Sequence, residues 1–266
     1  MKTSDENREN SVEFNSKEEK TVELPAFDFF KINILSFLLP FYICLGLFLL
    51  FEHSMVNYLR IPDFVQLLII PGFLIFLYYI YLFLLIEFTA YWVRKWNKKS
   101  PPRQGVFERI LDDVSSPEGK MIKYYHKRGF IIKFPMWLTS KSPFPWLVNR
   151  TLRRVGHNKI GMNVIYCDGY VGLEFTDLGD HVFIYPSSGI SSHAVNSIFG
   201  KITMMDAKLG KNTTLYPGII VGPNAVTADN SVIYPNTVLH KNWRGKPGKF
   251  YYQGSPGRPI EVSKKS

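Results

Sequence analysis

The chain has 266 residues, 46% of them hydrophobic and 15% aromatic, with a formal net charge of +10. That hydrophobic content excludes disorder throughout, and a cysteine count of 2 (Cys44 and Cys167) excludes a disulfide-built secreted scaffold. The charge is segregated, at −4 over residues 1–30, −1 over 31–93, +12 over 94–159 and +3 over 160–266. That distribution excludes the uniform basicity of a compact nucleic-acid-binding domain.

Residues 1–28 are polar and acidic and read as a disordered tail. Residues 29–93 read as a transmembrane hairpin. Ile32 to Phe51 is a charge-free run of 20 residues, and Phe64 to Ile86 is one of 23. A bilayer core takes ~20 apolar residues in a helix that satisfies its own backbone hydrogen bonds. Helices over about 32–51 and 64–92 are expected, with a buried soluble hairpin as the competing reading. Arg94, Lys95, Lys98, Lys99 and Arg103 crowd the second exit, whereas the intervening loop has only Arg60. Lys and Arg stay on the cytoplasmic side. The expectation is therefore a multi-pass protein of the cell membrane, with both termini and the C-terminal domain in the cytoplasm. Glu87 falls near the second helix end beside Tyr91 and Trp92, where it can reach the interface.

Residues 94–159 interleave cations with aromatics, among them Lys123, Tyr124, Tyr125, Lys127, Arg128, Phe130, Phe134, Trp137, Phe144 and Trp146. Pro135, Pro143 and Pro145 are expected to interrupt any long helix. Such composition can bind nucleic acid. Directly after a membrane helix it reads instead as a segment lying on an anionic leaflet, at about 1 kcal/mol per nearby cation. The lipid bilayer is the expected partner, and nucleic acid is not.

Residues 160–266 carry a period of six. One phase runs Ile160, Tyr166, Gly172, Leu178, Ile184 and Ile190, and after a slip it resumes at Leu209, Leu215, Val221, Thr227, Ile233 and Leu239. Small or β-branched residues such as Val164, Val182, Ser188, Thr213 and Ala225 recur four positions on. Six residues per face suit a triangular parallel β-helix, left-handed, with one aliphatic inward per face and rungs stacked at ~4.8 Å. The expected fold class is mainly β: a left-handed parallel β-helix of about four coils, preceded by the two-helix transmembrane hairpin.

This pattern resembles the hexapeptide-repeat acyltransferases, in particular the maltose and galactoside acetyltransferase type. The resemblance rests on Leu178-Gly179-Asp180, Ser191-Ser192-His193-Ala194-Val195-Asn196, the hexads from Leu209, and the closing Gly254-Ser255-Pro256-Gly257-Arg258-Pro259. The hydrophobic hairpin and basic linker also resemble the C-terminal membrane portion of ε-poly-lysine-synthetase-like proteins, without their adenylation or carrier domains. These resemblances imply a homotrimer with His193 facing a neighbouring subunit. They also imply a general base at His193, which takes a proton from an acceptor hydroxyl or amine attacking an acyl-coenzyme A thioester. Family members often have an acid three residues beyond the histidine, where this chain has Asn196.

His193 falls where the hexad phase breaks, so residues 193–208 are expected to leave the coil as a loop with the histidine exposed at its edge. Lys246 and Arg258, with Lys241, Arg244 and Lys249, are candidates for the coenzyme A phosphates, and Gly218 and Gly222 for close approach of its pantetheine arm. No bound cofactor is expected; acyl-coenzyme A would be a co-substrate. No metal is expected, because His181 and His193 fall on different faces and zinc needs convergent ligands. Two other functions fit the same residues: a non-catalytic oligomerising scaffold, and a condensation module acting on aminoacyl thioesters.

Overall fold

The computed structural model describes residues 26–110, 113, 115–172, 174–196 and 200–261. Most of the acidic tail lies outside them. Helix α1 (Ala26–His53) starts earlier than the charge-free run and passes through a wide helical turn, Ser54–Tyr58, before α2 (Asp63–Lys99). Both are long and apolar enough to cross a membrane. The ends that meet at the connecting turn leave large side chains outside the chain's own packing: Leu50 at the end of α1 and Phe64, Leu67 and Leu68 at the start of α2 are 65%, 68%, 71% and 76% exposed. A soluble core hairpin would bury that surface.

Strand β1 (Gly105–Glu108) precedes α3 (Pro117–Ser140) and α4 (Pro145–Val155). These helices correct the expectation that prolines break the basic segment. Pro117 and Pro145 stand in the first turn of each, where the missing N–H costs nothing. Ser116 caps α3, its hydroxyl accepting from Gly119 N at 3.1 Å. Of this segment's prolines, Pro135 falls in a helix interior and is buried there, so packing offsets one lost hydrogen bond, while Pro143 stands in the break between α3 and α4. Helices hold more residues than strands, and "mainly β" describes the C-terminal part only.

The end of α2 packs Ile86, Ala90, Val93 and Trp96 on Ile131 and Ile132 of α3 and Val155 of α4. Glu87 does not reach water alone. Its carboxylate accepts from Arg150 at 2.8 Å and from Arg154, tying α2 to α4. The other face of α4 turns Val148 and Leu152 into the strand core beyond it, with Asn149 donating to Val164 O at 2.9 Å.

That core lies between three ladders of short strands. The first joins β2 (Lys159–Ile160), β5 (Thr176–Leu178) and β10 (Ala207–Leu209), and continues through the parallel bridges Lys208–Val226 and Val226–Arg244. The second joins β3 (Ile165–Tyr166), β6 (Phe183–Ile184), β11 (Thr214–Leu215), β13 (Val232–Ile233), β15 (Tyr251–Gln253) and, antiparallel at its end, β16 (Arg258–Pro259). The third joins β4 (Tyr170–Val171), β7 (Gly189–Ile190), β12 (Ile220–Val221) and β14 (Val238–Leu239). Partners stand eighteen residues apart, as in Ile160–Leu178, Tyr166–Ile184 and Leu215–Ile233, which is three hexads per rung.

Ile184, Ile190, Leu215, Val221, Ile233 and Leu239 are fully buried in the column this makes. One position departs from the expected phase: Val171, not Gly172, pairs with Ile190. Corners use left-handed backbone at Asn163, Asn212, Asn224, Asn230, Asn236 and Asn242, a conformation Asn tolerates. Gly179 has a different reason. A Cβ there would come within 2.6 Å of the Lys211 backbone nitrogen on the next rung.

Candidate active site

Between β7 and β10 the chain leaves the ladders, and partners across this point stand thirty-one residues apart instead of eighteen, as in Ile190–Val221. The extra residues do not form a loop as expected. They form an antiparallel pair, β8 (His193–Asn196) with β9 (Lys201–Met204), closed at its base by Met205 N donating to Ser192 O at 2.9 Å. β1 adds a third antiparallel strand along β9. Ile202 and Met204 of this sheet pack against Met121 and Ile122 of α3, so the hairpin is sandwiched rather than projecting into solvent.

This packing half-buries His193, where an exposed edge was expected. Its ring meets Tyr125 of α3 edge-on at 5.1 Å and Phe175 at 6.2 Å. The Tyr125 hydroxyl oxygen lies 3.3 Å from Nδ1. Nε2 is buried and has no hydrogen-bond partner among the described residues. Burial, then the Arg128 charge, push the imidazole down to about 4, so it is neutral at pH 7. Burial also lifts Tyr125 to about 12 and lowers His126, its neighbour, to about 4.

Behind these rings stands an ion pair with both members essentially inaccessible. Arg128 Nε donates to Glu174 Oε1 at 2.6 Å and Nη1 donates to Ser100 O at 3.0 Å, linking α3 to the end of α2 and to a corner of the strand ladders. Ser192, directly before the histidine, donates its hydroxyl hydrogen bond to Glu174 O. Burial raises the Glu174 carboxyl while Arg128 pulls it down, and burial wins. Glu174 Oε2 and Arg128 Nη2 have no partner among the described residues. The site thus holds a neutral base, a hydroxyl beside it, and unspent polar capacity in a dry setting.

The other candidates are dispersed. Asn196 ends β8, its backbone paired with Lys201, and its side chain lies outside the described residues. Gly222 follows β12 on the same edge from which the hairpin departs, and Lys241 reaches the hairpin, donating to Thr203 Oγ1 at 3.3 Å. Gly218 is at a different corner, between β11 and β12, with left-handed backbone facing Asn236. Lys246 and Arg258 are exposed near the last rung, where Lys246 N donates to the Tyr252 hydroxyl at 2.8 Å. Tyr125 and Arg128 read in the sequence only as part of a basic, aromatic segment, and neither Glu174 nor Phe175 stands out there as a site residue. The one available signal was Glu174-Phe175 at a corner where neighbouring rungs carry Gly, Asn or Asp.

No family model matches the chain, and no curated protein does. Among solved structures it is similar to a maltose O-acetyltransferase from Clostridium difficile 630, with 20% identity over 52% of this chain and 86% of that one and a TM-score of 0.38. It is also similar to a hexapeptide-repeat acetyltransferase from Vibrio cholerae complexed with acetyl-coenzyme A, with 15% identity over 56% and 91% of the two chains and a TM-score of 0.33. A galactoside acetyltransferase in complex with coenzyme A follows at 14% identity, covering 51% and 80%, with a TM-score of 0.27. The maltose and galactoside acetyltransferases suggested by the repeat are thus among the structures this chain resembles, over about half its length.

Proposed function

We propose that the chain is a membrane-anchored acyltransferase that uses acyl-coenzyme A and His193 as general base. The observation that carries this reading is the buried, neutral Nε2 of His193, without a partner among the described residues, at the hairpin that interrupts the ladders. In the proposed step Nδ1–H donates to the Tyr125 oxygen, which leaves the Nε2 lone pair free. An acceptor hydroxyl or amine gives its proton to Nε2 as its oxygen or nitrogen attacks the thioester carbonyl. The tetrahedral intermediate then collapses, the carbon–sulfur bond breaks, and the imidazolium returns the proton to the departing thiolate.

Lys241 and Gly222, on the hairpin's edge of the ladders, are the candidates nearest this histidine for the donor's phosphates and pantetheine arm. Gly218, Lys246 and Arg258 would serve only a donor stretched to the far end of the ladders. A left-handed turn of the strands and a trimeric assembly belong to the same reading. Because Tyr125 of the same chain covers His193, the site would not need a neighbour's coil to enclose the ring. Two exposed apolar helices support anchoring in the cell membrane, with the flanking cations and the ladders on the cytoplasmic side. The acceptor would be a molecule resident in that membrane.

One observation favours a second reading, a non-catalytic scaffold. A ring roofed by α3 and desolvated to a pKa of about 4 is also what a packed structural histidine looks like. Thiol release from acetyl-coenzyme A by the detergent-solubilised chain with extracted lipids separates the two. The acyltransferase turns over and is thermally stabilised by coenzyme A. The scaffold does neither.

A further inference from the structure

α1 and α3 diverge from a tight aromatic contact, Phe29 stacked on Phe130 at 4.7 Å, and close again where Phe134 meets Phe37 edge-on at 5.0 Å. Between them runs a groove of about 460 Å³, lined by Phe30, Ile34, Phe37, Phe130, Phe134 and Trp137. That size lies within the ~300–1,000 Å³ typical of small-molecule sites. Asn33 at its wall spends its amide on Phe29 O at 3.3 Å. Lys133 is the one charged lining residue, and it has no acidic partner among the described residues.

Depth in the bilayer follows from the neighbours. Phe37 also meets Tyr81 of α2. The turn after α3 places Phe144 on Tyr79 and Trp146 near Phe83, inside the long apolar run of α2. Trp137 and Trp146 are 58% and 50% exposed at this tip. The α3–α4 hairpin therefore lies alongside the spanning segments, not merely beneath them. Beyond the Phe29–Phe130 contact, Lys31 and Lys127 stand at a second, smaller recess with Asp28 and two tryptophans.

We propose that the groove between α1 and α3 binds one acyl chain of an anionic phospholipid from the cytoplasmic leaflet, with Lys133 pairing the headgroup phosphate. A floor of aromatics with a single unpaired cation matches a long apolar chain ending in a negative group. Lys31 extends the positive field toward the headgroup level, Lys127 being paired with Asp28 at 4.0 Å, and this favours an anionic lipid over a zwitterionic one. The proposal rests on the reading that α1 and α2 span a bilayer.

The test reconstitutes the full chain in zwitterionic nanodiscs doped with a photoactivatable phosphatidylglycerol carrying a diazirine in its chain, and maps adducts by mass spectrometry. Adducts concentrate on residues 30–37 and 130–137, and unlabelled phosphatidylglycerol competes at least five-fold better than phosphatidylcholine or free fatty acid. Ile34→Trp fills the groove and lowers these adducts while those elsewhere on α2 persist. Lys133→Glu, on an exposed side chain that leaves packing intact, removes the preference for the anionic competitor. Adducts spread evenly over the apolar surface, or equal competition by phosphatidylcholine, overturn the lipid site while leaving the spanning reading in place. A chain that fails to enter nanodiscs and stays soluble without detergent overturns both.

Discussion

The Nε2 atom of His193 is buried without a hydrogen-bond partner among the described residues, and its ring lies edge-on to Tyr125 of α3. In the proposed step its neighbour Tyr125 accepts from Nδ1–H across the 3.3 Å contact. Tyr125→Phe keeps the ring and removes that contact, so kcat falls by about ten-fold with KM unchanged and the melting temperature kept, as steady-state kinetics would record. The same burial has a pH signature. His193 and His126 sit near 4 in the folded chain against an ordinary 6.5. The unfolded chain therefore binds more protons between those values, so stability is complete above pH 6.5 and is lost as pH falls toward 4. Melting temperature measured across that range drops, and the slope flattens in the His193→Gln, His126→Gln double variant.

At the scale of elements, the repeat was legible because its cause is local. An inward aliphatic every six residues, a small residue four further on and Asn at corners are all consequences of an eighteen-residue rung. Gly179→Ala tests the tightness of that stacking, because its Cβ would approach backbone at 2.6 Å. Thermal denaturation shows it destabilised, whereas Gly189→Ala, with open space around its Cβ, is near neutral. Leu152 is fully buried where α4 closes the first rung, and Leu152→Ala costs about 2–5 kcal/mol in the same measurement. The hairpin and α3 were not legible. Pro135 argued against a helix that packing retains, and the β8–β9 strands exist because α3 and β1 cover them. Tyr125 and His193 are separated by 68 positions, so no spacing in the sequence joins them.

Across the whole molecule, two polar links set the long apolar helices against the ladders. Glu87 ties α2 to Arg150 and Arg154 of α4, and Arg128 ties the end of α2 to Glu174 at the ladder corner. Breaking a buried pair by removing one partner costs about 3–5 kcal/mol, because the other charge is left dry. Arg128→Met therefore lowers the melting temperature strongly, and adding Glu174→Leu restores most of it. The segregation of charge acquires a structural meaning here: residues 94–159, at +12, include the helices α3 and α4 that join the long apolar helices to the ladders, and α3 carries Tyr125 over His193. The central claim is that this roofed histidine moves a proton in acyl transfer. The most direct measurement compares thiol release from acetyl-coenzyme A by the wild-type chain and by His193→Gln, each with extracted membrane lipids and each verified as folded. The account predicts turnover in the wild type and a fall of roughly 10²–10⁴-fold in the variant. Equal turnover in the two proteins would contradict it.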